Sequence, residues 1–194
     1  MFSKDNLVES LAIFTKQIHD QKDFLSELDT PIGDGDHGHN MNRGVTALEE
    51  KLADQETGNL ADIFKVAAMA FMSKVGGASG PLYGSAFLEM SKLAQESSDP
   101  EGILAAGLSG IQKRGKAEVG DKTMVDLWSR ALDLLKEKQL TSQKLDQIIE
   151  DTKDLKAHKG RASYLGDRSI GHIDPGTISS KYLFEAFIEG GVFD

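Results

Sequence analysis

Cysteine is absent from the 194 residues. That excludes a disulfide scaffold, a thiol nucleophile and a thiolate metal site, and leaves oxygen and nitrogen groups to carry any chemistry. Long apolar runs are missing too: no stretch approaches the roughly 20 residues that cross a bilayer, so no membrane association is expected. The opening Met1-Phe2-Ser3-Lys4-Asp5 leads into a helical pattern without the apolar stretch of a secretion signal, and cytoplasmic residence is the expectation. Basic residues are in deficit. With 22 Lys and Arg against 31 Asp and Glu, the formal charge of −9 disfavours non-specific adhesion to nucleic acid or anionic lipid. Any phosphate must then be gripped locally, by metal or by backbone. The alternating pattern of strands is hard to find as well.

What remains is helical periodicity almost throughout, on a length that suits one domain spanning residues 1–194. Leu7, Leu11, Phe14 and Ile18 line one face of a first helix, which Leu25 continues toward a stop near Pro31. A second helix is expected over 40–54, a third along Ile63, Val66, Ala67, Ala70 and Phe71 up to Gly76-Gly77, and a fourth from near Pro81. Leu104, Leu108 and Ile111 mark a fifth, and Leu127, Ala131 and Leu134 a sixth. Leu145 to Leu155 mark a seventh, and an eighth follows Pro175. The charged run from Asp146 to Lys159 reads as a solvated helix face. Short connections favour antiparallel neighbours, so the expected fold is all-α, an eight-helix antiparallel up-and-down barrel or bundle.

Four glycine-bearing segments between helices carry the chemistry. In Leu28-Asp29-Thr30-Pro31-Ile32-Gly33-Asp34-Gly35-Asp36-His37-Gly38-His39-Asn40-Met41, three carboxylates sit on backbone that Pro31, Gly33 and Gly35 keep out of a helix. They can converge on one point, where they repel unless a cation joins them, and oxygen ligands suit Mg²⁺ or Ca²⁺. A solvated turn uses the same residue types. A calcium loop of the EF-hand kind is excluded, because counting from Asp34 puts His39 where glycine is required and Val45 where a bidentate Glu belongs. His37 and His39 can also bind zinc or serve as helix caps.

Val75-Gly76-Gly77-Ala78-Ser79-Gly80-Pro81 precedes a helix, so it reads as an anion cradle or as a tight interhelical turn. Arg114-Gly115-Lys116-Ala117-Glu118-Val119-Gly120-Asp121-Lys122-Thr123-Met124 nearly spells a P-loop, but Asp121 intrudes and no strand precedes it. Asp121 or Thr123 can cap the next helix there, and Met124 can face a planar base. The stretch from Lys159 to Gly176 is long for a connection, and its Arg161 and Arg168 suit either phosphate oxygens or surface carboxylates. These segments follow the first, third, fifth and seventh helices. In an up-and-down array they meet at one mouth, and together they hold the parts of a nucleotide site.

These motifs resemble the L subunits and L domains of dihydroxyacetone kinases, from Ile32-Gly33-Asp34-Gly35-Asp36-His37-Gly38 through Gly76 to Leu82, Gly120 to Met124 and Lys159 to Gly176. The resemblance implies an eight-helix barrel with ADP or ATP tightly bound and two Mg²⁺ ions at one end. It implies Asp29, Asp34 and Asp36 as metal ligands. His37, Gly38, His39, Asn40, Ala78, Ser79, Gly115, Met124, Arg161 and the turn Asp174-Pro175-Gly176 would line the nucleotide. Dihydroxyacetone would sit on a separate K subunit, and a phosphohistidine protein, the M subunit, would rephosphorylate the bound ADP. Two alternatives stay open: a subunit that exchanges free ATP, and a nucleotide-dependent module docking on a transcription regulator. The related fatty-acid kinases carry a long extension absent here, and the histidine after Asp36 favours the triose enzyme.

Overall fold

The computed structural model describes residues 1–194. Eight α-helices form: α1 Lys4–Asp29, α2 His37–Asp54, α3 Leu60–Lys74, α4 Ser79–Leu93, α5 Pro100–Gly115, α6 Met124–Lys136, α7 Ser142–Lys153 and α8 Pro175–Glu189. A 3-10 segment, Arg161–Ser169, lies between the last two, and no strand forms. Most starts follow from local acceptors. Ser3 and Asn6 form a reciprocal capping box at α1, and Thr123 and Asp126 form one at α6. Asp99 and Asp174 cap α5 and α8, each followed by a proline whose missing N–H costs nothing at the first helical position.

Each helix packs against the next, and α8 returns to α1, which closes the ring. One cluster of 42 buried hydrophobic residues draws from all eight helices, so their relative positions are fixed by a single continuous core. Phe71 sits near its centre, fully buried, with ring centroids 5.5 Å from both Tyr83 and Phe87 and 6.4 Å from Phe14. No helix is long and apolar enough to cross a membrane.

Several boundaries differ from the periodicity. Helix α2 starts at His37 rather than Asn40, because the Asp29 carboxylate reaches across from the end of α1 to accept its first amides. Helix α4 starts at Ser79, two residues before Pro81, which takes the first-turn position expected of it. Helix α7 ends at Lys153, leaving Leu155 outside and making only the first part of the Asp146–Lys159 run a helix face. The long connection before α8 contains the 3-10 segment, kinked at Gly166 where φ is +56°.

Replacing Phe71 by Ala deletes a ring at the meeting point of three others, and should cost about 3–5 kcal/mol of folding stability. Urea unfolding measures this directly, and a loss under about 1 kcal/mol would mean that the core collapses into the space.

Candidate functional site

The connections after α1, α3, α5 and α7 converge on one end of the ring and enclose a cavity of about 490 Å³. That is within the usual range for a small-molecule site. On one side, single carboxylate oxygens of Asp29, Asp34 and Asp36 lie within 4.8 Å of one another. Asp29 is half-buried, and its Oδ2 accepts from the amides of Asp36 at 3.0 Å and His37 at 3.3 Å. Burial pushes its carboxyl above the ordinary value, with the Asp34 charge adding to the rise and the two amides opposing it. Asp34 forms an ion pair with Arg161. An all-oxygen set crowded this closely fits a hard divalent metal such as Mg²⁺ and does not suit a soft one.

Next to the carboxylates, Gly77 turns through the left-handed region at φ +65°, and α4 begins at once. No side chain caps that helix. Its first amides are therefore free to meet a ligand oxygen, and the helix end adds partial positive charge. Arg114, Lys159 and Arg161 bring cationic groups to the same cavity. The opposite character comes from Leu82, Ile111 and Met124, which give it an apolar wall suited to a planar ring.

Behind this surface runs a buried polar chain. Ser79 Oγ lies 2.9 Å from His37 Nδ1, and His37 Nε2 lies 3.0 Å from Ser179 Oγ. Tyr83 Oη joins Ser179 and Ser180, and the Trp128 indole N–H donates to Ser180 Oγ at 3.1 Å. Burial drives the His37 ring down to about 4, so it is neutral near pH 7 and takes part as one donor and one acceptor. Both ring nitrogens are occupied by hydroxyls, which removes His37 as a zinc ligand.

Of the residues singled out in the sequence, Asp29, Asp34, Asp36, His37, Asn40, Ala78 and Ser79 line the cavity. Gly115, Met124, Arg161, Asp174, Pro175 and Gly176 do so as well. Gly38 and His39 do not. A Cβ on Gly38 would overlap the Lys22 carbonyl, so this glycine serves the close approach of α2 to α1. His39 is exposed and lies 3.9 Å from Asp23 on the outer face. Arg168 is also outside the cavity. Sequence reasoning missed the cavity-lining part of Leu82 and Ile111, whose spacing marks them only as helix core, and it missed the Ser179–Tyr83–Ser180 chain, which has no signature at all.

A family model described as the DAK2 domain matches residues 31–189. The chain is similar to the ADP-binding subunit DhaL of the PTS-dependent dihydroxyacetone kinase of Lactococcus lactis subsp. lactis, with 55% identity covering 97% of this chain and 98% of that protein. It is 38% identical to the corresponding subunit of the PEP-dependent enzyme of Escherichia coli, covering 85% and 86% of the two chains. Among solved structures, the dihydroxyacetone kinase of C. freundii in complex with AMP-PNP and Mg²⁺ aligns with a TM-score of 0.76 at 23% identity. That alignment covers 97% of this chain and 35% of the other, and it shows a shared fold.

One titration is open to measurement. Burial pushes the Asp174 carboxyl up to about 6, against the two hydrogen bonds from Thr177. A raised carboxyl favours the folded state when protonated, so this contribution is present below the unfolded value and is lost as pH rises through about 6. Asp174→Asn keeps a capping acceptor without the charge. Between pH 4 and 7, the wild type should lose about 1–3 kcal/mol of stability relative to the variant. Parallel stability–pH curves from urea unfolding would overturn the assignment.

Proposed function

The chain belongs to the DAK2 domain family, and on that premise we propose that it is the ADP-binding, phosphoryl-transferring subunit of a phosphotransferase-dependent dihydroxyacetone kinase. The observation that carries this is the single cavity in which three clustered carboxylates, an uncapped helix start and Arg161 stand together opposite an apolar wall. The identity to the PTS-dependent subunit favours this form over an ATP-exchanging one. Triokinase/FMN cyclase of Homo sapiens is 31% identical, and the chain covers only 32% of its length.

In this reading Asp29, Asp34 and Asp36 would hold two Mg²⁺ ions, which would supply charge neutralisation to the phosphate oxygens of the nucleotide. The protein's own groups do the rest. Amides at the start of α4 orient the phosphates, and Leu82, Ile111 and Met124 receive the base. The guanidinium of Arg161, balanced by Asp34, offers paired donors to phosphate oxygens. Phosphoryl transfer needs alignment and charge neutralisation more than covalent help, so no general base is assigned. The acceptor, dihydroxyacetone, is held by a K subunit, and a phosphohistidine M subunit reloads the bound ADP.

Four outcomes test this. Purified protein should carry ADP. With its K partner and dihydroxyacetone it should turn over repeatedly when phosphorylated M protein is supplied, while ATP alone supports little beyond the bound equivalent; steady ATP-driven turnover without M protein would refute the resident-nucleotide reading. Asp34→Ala or Asp36→Ala should abolish transfer and shed nucleotide, as seen by mass spectrometry before and after denaturation. Arg161→Lys keeps the charge but loses the fork of donors, and a fall in transfer under about threefold, roughly 0.65 kcal/mol, would return Arg161 to a surface ion pair with Asp34.

A further inference from the structure

The segment that nearly spells a P-loop carries a lysine one position beyond where phosphate-binding loops have theirs, and Lys122 does not line the cavity. Its residue is 2% exposed, on backbone in the left-handed region at φ +60°. The ammonium donates to the carbonyls of Lys153 at 2.6 Å, Leu155 at 2.8 Å and Ser169 at 2.9 Å. All three of its donors are used, and every acceptor is backbone. A buried ammonium without a bonded carboxylate is costly unless its protons are fully satisfied, so this is a built site rather than an incidental contact.

The acceptors are placed informatively. Lys153 ends α7 and Ser169 ends the 3-10 segment. Between them runs the stretch that delivers Lys159, Gly160, Arg161 and Ala162 to the cavity. Neighbouring bonds draw the same ends together: His158 N–H donates to the Asp121 carbonyl, Gly171 N–H to the Lys153 carbonyl, and Ala157 N–H to Ser169 Oγ. No other charged side chain bonds to these carbonyls.

We propose that Lys122 is a positioning residue, which clips the two ends of the 153–170 segment together and so holds Arg161 at the phosphate end of the cavity. Its consequence for ligand residence rests on the nucleotide reading above; the clip itself does not. Lys122→Met keeps the stem and removes the donors. In the protein without nucleotide, amide hydrogen exchange across residues 156–171 should speed up by about tenfold or more, while the amides of α3 and α4 keep their rates. With Mg²⁺ and ADP as the probe, ADP release should quicken by about tenfold, whereas a residue that only supports the fold would lower global stability and speed exchange everywhere. Unchanged exchange in the segment, or freed exchange with ADP release within about twofold of wild type, would overturn the proposal. If the variant does not fold, the wild type decides. The Lys122 ammonium protons and the amides of Ala157, His158 and Gly171 must then open at one common rate, and independent rates refute the clip. A wild type that binds no ADP refutes the nucleotide reading instead, and hydrogen exchange still judges the clip.

Discussion

An up-and-down ring of helices sends every second connection to the same end, and the site depends on that geometric constraint. The shared core fixes the helices, so the loops after α1, α3, α5 and α7 are delivered to one place whatever their own stability. They are free to carry what a core cannot: crowded carboxylates, glycine turns and a helix start without a cap. Each of these is unfavourable alone, and each becomes favourable when a polyanion with its cations fills the space between them.

The local compensations are unequal. Asp29 is tied to the first amides of α2, so part of its charge is already spoken for by the fold. Asp34 relies on Arg161, a partner from a segment distant in sequence. Asp36 is the N-cap residue of α2 yet makes no capping bond, which leaves its oxygens uncommitted. The helix start at α4 has no protein partner either. The fold thus satisfies the groups that build the loop and leaves open those that face the cavity.

Much of this was legible because the chemistry-bearing residues are dense in short windows: Asp29 to Asp36, Gly76 to Pro81 and Lys159 to Gly176 are unusual as strings. What was not legible depends on rotation about a helix axis. Because α2 begins at His37, residues 37 and 40 share a face toward the cavity, while 38 and 39 turn to α1 and to solvent. A different limit hid Lys122, because the near-P-loop spacing does not tell which way a loop side chain turns. Leu82 and Ile111 were hidden for the opposite reason, since an apolar residue at helical spacing looks alike whether it meets another helix or a ligand.

The chain of hydroxyls behind Ser79 has an optical side. Trp128 is the one tryptophan in the sequence, fully buried, edge-on to Phe184 at 5.1 Å. Its only hydrogen bond is the far end of the relay that begins at the cavity wall. Its fluorescence therefore comes from a single known environment, with no second indole to dilute it. A rearrangement of Ser79 or His37 reaches that fluorophore through three intervening hydroxyls, so the molecule carries its own unlabelled gauge of the state of its cavity.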